Sequence, residues 1–228
     1  MMAAERTCGA FGCDLRATVH GIRGDEWVPG CYCAEHGAGV EPQMAKQPAR
    51  GDWMQTYTGR AFYPLEPNPG DVDLLDIAHG LSMLCRYNGH VSRFYSVAEH
   101  CVLMSFAVAP EHALWALLHD ATEAYLGDMI RPLKRQMPAY RAVEQEVMTA
   151  ICDRFGLDYE CPDEIKAADT RILRDERAAL LGPSPQPWLA VEDVEPLGVE
   201  VRGWSPARAE MEYLARFAVL TCTAVHRG

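Results

Sequence analysis

The sequence contains no long apolar run, since none of its hydrophobic stretches reaches the roughly 18 uninterrupted residues that a membrane span needs. Its first residues, Met-Met-Ala-Ala-Glu-Arg-Thr-Cys, also lack the apolar core of a signal peptide. The nine cysteines are an odd number, which fits free thiols and metal ligands better than a framework of disulfides. We therefore expect a cytoplasmic protein that does not enter a membrane.

Positive charge is also scarce, because 21 lysines and arginines stand against 32 aspartates and glutamates, which gives a net charge of −11. Non-specific binding to nucleic acid or to an anionic membrane needs a positive field, so neither is expected of the main domain. Apolar residues, in contrast, are plentiful. They make up 49% of the 228 residues, enough for one large domain, or a medium domain with a small appendage.

Residues 1–40 differ from the rest of the chain, because they hold four of the nine cysteines and show no helical periodicity. Zinc is bound tetrahedrally by four cysteine or histidine side chains, and two ligand pairs on tight turns can supply them. A turn is predicted at residues 27–30, and residues 41–52 are predicted to be a linker. We therefore predict a zinc knuckle, with Cys31 as a substitute ligand and the ligands Cys8, Cys13, Cys33 and His36. The alternative is a flexible tail that contains cysteines.

Beyond the linker the pattern predicts an all-α body that begins with a short β-hairpin. Aromatic residues and threonines surround a Thr-Gly turn at residues 53–63, as is typical of a hairpin. Ser96 and Glu99 match a capping box at the start of one helix. Apolar residues at helical spacing, bounded by aspartate, serine, proline and glycine, predict helices at residues 71–88, 97–109, 110–126, 138–155, 162–181 and 205–225.

Metal-ligand side chains interrupt several of these apolar helices. His100 lies early in the second helix, His119 and Asp120 follow an apolar run in the third, and Asp169 lies midway along the fifth. An ionised carboxylate is costly to bury unless something pairs with it. Two converging imidazoles and two carboxylates would suit a divalent transition metal with open positions for water and substrate. A single buried histidine is more often a hydrogen-bonded core residue, and we prefer that role for His79 in the first helix.

The order of these four side chains resembles the HD superfamily of metal-dependent phosphohydrolases, helical enzymes named for the His-Asp doublet. Two motifs carry a closer resemblance, Ser-Val-Ala-Glu-His at 96–100 and His-Asp-Ala-Thr-Glu-Ala-Tyr-Leu-Gly-Asp at 119–128. They are similar to motifs of the branch that contains bacterial 5′-deoxynucleotidases and phage dATP triphosphohydrolases. The resemblance covers residues 53–181, and it implies an HD-domain helical bundle at 53–228 with its core motifs in 71–181.

The resemblance also implies roles for individual residues. Glu123 is similar to the family's catalytic glutamate, which handles the attacking water, and Asp128 to a second acidic residue near the sugar. Arg86 stands where these enzymes carry a phosphate-binding arginine. The family usually has tryptophan at the next position, whereas this chain has the smaller Tyr87, which leaves the choice of base open. The implied metal ligands are His100, His119, Asp120 and Asp169.

Two further cations, Arg131 and Lys134, follow Asp128 closely in the sequence. Arginine suits bidentate phosphate binding and lysine acts as a point charge, so both are candidates for holding a phosphate chain. The alternative is that both belong to a solvated surface face.

The activity implied by the resemblance is hydrolysis of the 5′-phosphoester of a deoxynucleotide. The preferred substrate would be dATP or another dNTP, giving deoxynucleoside and triphosphate. Two alternatives stay open, a 5′-deoxynucleotidase that acts on monophosphates and a non-catalytic nucleotide-binding adaptor with a zinc knuckle. The cofactor would be a divalent transition metal (Co, Mn, Zn, Fe or Ni), in addition to a structural zinc in the knuckle. Oligomers are common in this branch and the C-terminal helix is amphipathic, so a homo-oligomer is expected.

Overall fold

The computed structural model describes residues 50–188 and 191–224, together with the backbone of three strands nearer the start of the chain. The chain divides into two compact units, Met1–Arg50 and Gly51–Gly228. Along the residues so described, no helix is both long and apolar enough to cross a membrane. The predicted ligands of the zinc knuckle lie outside the described residues: Cys8, Cys13, Cys33 and His36.

The first unit contains a three-stranded antiparallel sheet with β1 in its centre and the order β2-β1-β3. Its strands are β1 (Val19–Arg23), β2 (Glu26–Tyr32) and β3 (Val40–Glu41). The turn predicted at residues 27–30 is wrong, because β2 runs through them. Pro29 has no N–H to donate, and it is tolerated because β2 is an edge strand with an irregular register. Gly21 pairs with Val28 but Val19 pairs with Tyr32, so the irregularity includes Pro29.

The second unit is mostly helical, which confirms the all-α prediction for the body of the chain. Buried apolar side chains of the first, second, third, sixth and eighth of the helices named below form most of its main core. The helices are α1 (Leu74–Met83), α2 (Val97–Ala107), α3 (Ala113–Leu118), α4 (Glu123–Leu126), α5 (Arg131–Lys134), α6 (Pro138–Phe155), α7 (Asp163–Leu180) and α8 (Pro206–Ala224).

The predicted hairpin is present at the start of this unit, formed by β4 (Met54–Gln55) and β5 (Ala61–Phe62). The buried Asp76 of α1 fixes its turn. One oxygen of this carboxylate accepts from the backbone N–H of Thr58 at 2.7 Å, and the other accepts from the Thr58 hydroxyl at 2.9 Å. Both carboxylate oxygens are therefore used in attaching the hairpin to α1.

Proline and glycine set several helix boundaries as predicted. The helix α6 begins at Pro138 and is ended by Gly156, whose φ of 69° is in the left-handed region that favours glycine. Ser96 caps α2, since its Oγ accepts from the N–H of Glu99 at 3.1 Å. The other half of the predicted capping box is wrong. The Glu99 carboxylate does not turn back to Ser96 but binds three backbone N–H groups just before α8, those of Arg202, Gly203 and Trp204.

The helix predicted at residues 71–88 is too long, because α1 ends five residues earlier. Leu84 is extended, and Cys85 pairs with Ser96 in an isolated antiparallel bridge. A short 3-10 turn follows, in which Tyr87 and Asn88 have φ values of 56° and 50°. Left-handed backbone is costly for residues other than glycine, and local helix-forming preference does not predict it.

The helix predicted at residues 110–126 is interrupted between α3 and α4. Within the interruption the backbone bonds join residues three apart, as in the 3.0 Å bonds from Ala121 N–H to the Leu118 carbonyl and from Glu123 N–H to the Asp120 carbonyl. His119 therefore directly follows α3, and Asp120 lies in the tight turn between α3 and α4. The short helix α5 was not predicted.

Candidate metal and phosphate site

The structure brings together the four side chains that were predicted to bind a metal. The Nε2 atoms of His100 and His119 lie 3.2 Å apart. Asp120 Oδ2 lies 3.2 Å from His119 Nε2 and 3.6 Å from His100 Nε2, while Asp169 Oδ1 lies 3.5 Å from His100 Nε2. Because α2, the turn after α3 and α7 each contribute, the site exists only when these three parts of the chain are packed together.

The hydrogen bonds of the two histidines fix which ring nitrogen is free. His119 Nδ1 donates to the Ala116 carbonyl at 2.8 Å, and His100 Nδ1 donates to Glu176 Oε1 at 2.7 Å. Each Nε2 therefore carries a lone pair in the neutral ring, and two lone pairs face each other beside two carboxylates. Such a set of acceptors repels itself unless a metal ion or a proton lies among them. Burial lowers the pKa of His119, but Asp120 and Cys101 raise it well above its ordinary value, so this ring takes up a proton when no metal is bound. His100, His119 and Asp169 could hold a metal ion, with Asp120 next to both imidazoles, and nitrogen and oxygen donors suit a divalent transition metal.

A second group of possible ligands contains Cys101 together with His119 and Asp120. It is a poorer set, because Cys101 Sγ lies 3.9 Å from His119 Nδ1, the nitrogen that already bonds to the Ala116 carbonyl. Complete burial also raises the pKa of the Cys101 thiol, which opposes formation of the thiolate that a metal needs. The set built on the two Nε2 atoms is therefore preferred.

The electrostatics of the cluster keep its carboxylates ionised. Burial alone would raise the pKa of Asp120, but His119, His100 and Arg86 lower it well below its ordinary value. Burial likewise opposes ionisation of Asp169, yet its interaction with His100 lowers the pKa of Asp169 to about 2. Metal ligands must be deprotonated, so both carboxylates are in the form that binds a cation at neutral pH.

The pKa of Glu123 is shifted in the opposite direction. Burial first, and then the nearby charges of Asp120 and Asp128, raise the pKa of Glu123 well above its ordinary value. Its Oε2 atom is buried and has no hydrogen-bond partner within the described part of the chain. Burial also raises the pKa of Asp128. A carboxyl group whose pKa is raised by burial and by neighbouring negative charge, and that lies beside a metal cluster, is suited to acid–base chemistry.

A pocket of about 750 Å³ opens beside the cluster. Asp120, Glu123, Asp128 and Asp169 line it on the acidic side. The residues that were predicted to bind substrate also line the pocket: Arg86, Tyr87, Arg131 and Lys134. Two residues that were not predicted, Arg135 and Trp188, line it as well. An anionic ligand in this pocket would therefore meet positive charge directly beside the metal cluster.

Three of the pocket cations are paired with acidic groups in this structure. Arg86 Nη1 lies 3.4 Å from Asp120 Oδ2, and Arg131 Nη2 lies 2.7 Å from Asp169 Oδ2. Two of the cations are thus attached to carboxylates of the metal cluster, and Lys134 forms an ion pair with Glu144 at the pocket edge.

Besides Arg135, sequence reasoning missed two residues of the site. Glu176 is completely buried and binds both His100 and Arg86. It lies seven residues after Asp169 on α7, and this helical spacing is a signal that could have identified it. Trp188 lines the pocket from the proline-rich loop after α7, where no motif marks it. Its ring lies 6.2 Å from that of Tyr87, measured between centroids.

The other histidine considered as a ligand lies apart from the cluster. His79 Nδ1 is 3.0 Å from Glu210 Oε2 on α8, and the ring stacks on Tyr57 at 3.7 Å between centroids. These contacts join α1, α8 and the hairpin, so His79 has a structural role.

No protein-family model matches the chain. The uncharacterized protein YfdR of Escherichia coli is 43% identical over 128 residues, which cover 56% of this chain and 72% of YfdR. An uncharacterized protein of Rhodobacter capsulatus is 39% identical over 144 residues, which cover 57% of this chain and 74% of that protein. Neither name states an activity, so the function has to be argued from the site.

Proposed function

The chain belongs to the protein family of Escherichia coli YfdR, and we propose that it is an HD-domain, metal-dependent phosphohydrolase that cleaves the 5′-phosphoester bond of a deoxynucleotide. One observation carries the proposal. Two histidine Nε2 atoms and two ionised aspartates face one another beside a pocket that is also lined by four cationic side chains. A metal ion would fit among the histidines and aspartates, and a phosphate group would fit beside it.

The metal would be held by His100, His119, Asp120 and Asp169, with Co, Mn, Zn, Fe or Ni as candidates. A bound divalent cation supplies Lewis-acid activation of water and of a phosphoryl oxygen. The described metal cluster uses only nitrogen and carboxylate donors, a composition common in hydrolytic sites with open coordination positions.

The protein's own groups handle the proton and the phosphate charge. Glu123, with its raised pKa and unpartnered Oε2, takes a proton from the attacking water or orients that water. Arg86 offers a guanidinium edge to phosphate oxygens beside the cluster, and Arg131 offers a second. The aromatic rings of Tyr87 and Trp188 provide surfaces on which a base or a sugar can stack.

The pocket favours a substrate that carries a triphosphate over one that carries a single phosphate. Cations continue along it beyond Arg86, at Arg131, Lys134 and Arg135, and 750 Å³ leaves room for more than one phosphate. We therefore propose dATP or another dNTP as substrate, with deoxynucleoside and triphosphate as products. A 5′-deoxynucleotidase would need only the cations nearest the cluster, and it is the second candidate for that reason.

Product analysis tests this proposal. The purified protein is incubated with Co²⁺ or Mn²⁺ and a panel of dNMPs and dNTPs, and the released triphosphate, pyrophosphate or phosphate is identified. Triphosphate from dATP is the expected product, whereas phosphate released from dAMP would favour the monophosphatase. Tight nucleotide binding without turnover, under every metal condition, would replace the enzyme proposal by a binding adaptor.

A matched pair of variants ties activity to the cluster. Asp120→Asn keeps the side-chain shape and removes the ligand charge, so turnover should fall below detection. Asp76→Asn makes the same chemical change in a buried carboxylate that, among the described contacts, binds only Thr58, and turnover should be unchanged. Full activity in the Asp120→Asn variant would contradict the assignment of the metal ligands.

A further inference from the structure

The buried carboxylate of Glu176 joins the metal cluster to the phosphate side of the pocket. Oε1 accepts from His100 Nδ1 at 2.7 Å, and Oε2 accepts from the Tyr87 hydroxyl at 2.5 Å. Arg86 lies along the same carboxylate, with Nε 3.3 Å from Oε1 and Nη2 3.3 Å from Oε2. One side chain with no exposed surface therefore binds a metal ligand and both residues expected to contact substrate phosphate and sugar.

This arrangement gives Glu176 control over the direction of two groups. Because it accepts from His100 Nδ1, the lone pair on Nε2 is the one that faces the metal position. Because Arg86 Nη2 donates to Glu176 Oε2, with Nε 3.3 Å from Oε1, the Nη1 atom points towards Asp120 at 3.4 Å and towards the pocket. A buried carboxylate is tolerated only when it is fully paired, and here the pairing partners are the functional groups themselves.

The Asp120 carboxylate makes the two groups depend on each other. Its Oδ2 atom contacts Arg86 Nη1 and also lies 3.2 Å from His119 Nε2. A cation bound among the histidines would take up the charge of Asp120 and leave Arg86 Nη1 available for a phosphate oxygen. Without Glu176 to hold it, Arg86 would no longer be fixed where it can exchange Asp120 for a phosphate oxygen.

The backbone at the pocket edge also indicates a positioning role for Glu176. Tyr87 and Asn88 both have positive φ values, and the bond from the Tyr87 hydroxyl to Glu176 holds this unfavourable turn in place. Glu176 thus also positions the aromatic ring that lines the pocket.

We propose that Glu176 is a positioning residue that makes the binding of metal and of phosphate cooperative, through its simultaneous contacts with His100 and Arg86. The proposal rests on the metal and phosphate site of the proposed function, but it concerns binding and not turnover. It therefore requires that the protein bind Co²⁺ more tightly when inorganic phosphate is present, and phosphate more tightly when Co²⁺ is present, by the same factor.

Calorimetric titration of the full-length protein measures this factor. Co²⁺ is titrated with and without inorganic phosphate, and phosphate is titrated into the metal-free and the Co²⁺-loaded protein. The visible absorption of bound Co²⁺ reports independently on its ligand geometry. In the wild type we expect the two ligands to strengthen each other by about 5- to 150-fold, the usual range of coupling between sites.

Two substitutions of Glu176 separate its contacts. Glutamine keeps an oxygen that can accept from His100 but presents an amide to Arg86 and Tyr87, so Glu176→Gln should lose less than about tenfold in Co²⁺ affinity while the coupling factor falls towards one. Alanine removes all three contacts, so Glu176→Ala should lose about 10- to 100-fold in Co²⁺ affinity as well.

Two further variants distinguish a loss of coupling from a simple folding defect. Tyr87→Phe removes one hydroxyl at the pocket edge, so it should leave Co²⁺ affinity unchanged and reduce the coupling. Asp76→Asn, a buried carboxylate outside the site, should keep both wild-type values. If Glu176→Gln retains the wild-type coupling factor, or if the wild type shows no coupling, the role of Glu176 is refuted.

The outcome is distinguishable from failure of the proposed function. Coupling that is lost in Glu176→Gln, in a protein that hydrolyses no nucleotide, would support the role of Glu176 and refute the phosphohydrolase. Nucleotide hydrolysis combined with coupling that survives the substitution would support the enzyme and refute the role of Glu176.

Discussion

Replacing Glu99 with glutamine should destabilise the fold by about 3 kcal/mol, because hydrogen bonds to a charged acceptor are strong and an unpaired buried donor is costly. Glu99 is completely buried at the start of α2. Its Oε1 accepts from the backbone N–H of Arg202 at 2.8 Å and of Gly203 at 3.0 Å, and its Oε2 accepts from that of Trp204 at 2.5 Å.

The magnitude follows from these three bonds. Glutamine has one oxygen, so it can keep the pair of bonds on the Oε1 side, now to a neutral acceptor and weakened by about 1 kcal/mol in total. Its amide then faces the Trp204 N–H, and that buried donor loses its partner at a further cost of about 1–3 kcal/mol. For a protein of 150–250 residues, each kcal/mol corresponds to roughly 2–4 °C, so the melting temperature should fall by about 6–12 °C.

The assay is thermal unfolding followed by far-UV circular dichroism. Glu200→Gln is the matched control, because Glu200 is an exposed carboxylate in the same segment that pairs only with the exposed Arg202 side chain among the described contacts. Its melting temperature should equal that of the wild type. A Glu99→Gln protein that melts within about 1 °C of the wild type, a change of less than 0.5 kcal/mol, would refute the anchoring role of this carboxylate.

Three other predictions concern the site and its supports. Addition of Co²⁺ at about 100 times its dissociation constant should stabilise the wild type by about 2.7 kcal/mol, an effect that a chelator reverses and that Asp120→Asn abolishes in a thermal shift assay. Trp188→Ala should weaken dATP binding by about 1–3 kcal/mol, the usual value of stacking between a base and an aromatic ring, and calorimetry should find Co²⁺ affinity unchanged. Gly80→Val should destabilise the fold by about 1–3 kcal/mol in urea unfolding, as overpacking does. At this position a Cβ would lie only 3.1 Å from Ala124 Cβ and 3.2 Å from its Cα. Since Ala124 follows Glu123, turnover should fall as well, and a variant with normal stability would contradict this close approach of α1 and α4.

Helix boundaries that depend on local chemistry could be predicted from the sequence. Pro138 and Gly156 bound α6 because proline is favoured at a helix start and glycine at the left-handed position after its end. Ser96 was recognised as a cap for the same local reason. The partner of Glu99 could not be recognised, because the three N–H groups that it binds lie about a hundred residues further along the chain.

The two places at the site where the predicted helices are interrupted, at residues 119–122 and at Tyr87, had no such local signal. No glycine or proline interrupts residues 119–122, yet the backbone tightens there, and the packing of α2, α3 and α7 around the metal cluster accompanies this change. Tyr87 is a poor candidate for left-handed backbone by itself. Its conformation accompanies the bridge between Cys85 and Ser96 and the bond to Glu176, which are both tertiary contacts.

The ligand set was easier to predict than its supports. A histidine or an aspartate within an apolar helix is costly unless it has a partner, and so His100, His119, Asp120 and Asp169 were visible as anomalies. Glu176 occupies an equally apolar face of α7 but belongs to no motif that was considered, and Trp188 stands in a loop whose composition predicts only irregular structure.

The left-handed turn at Tyr87 and Asn88 has a consequence for how this protein can evolve. Two non-glycine residues with positive φ cost about 1–3 kcal/mol each, so Asn88→Gly should be favourable for stability. The same exchange would loosen the backbone that carries the Tyr87 ring into the pocket. Selection for heat resistance alone should therefore accumulate glycine at position 88. Under the proposed function, the more stable proteins would be less selective among nucleotides, which is a trade-off between stability and selectivity at a single position.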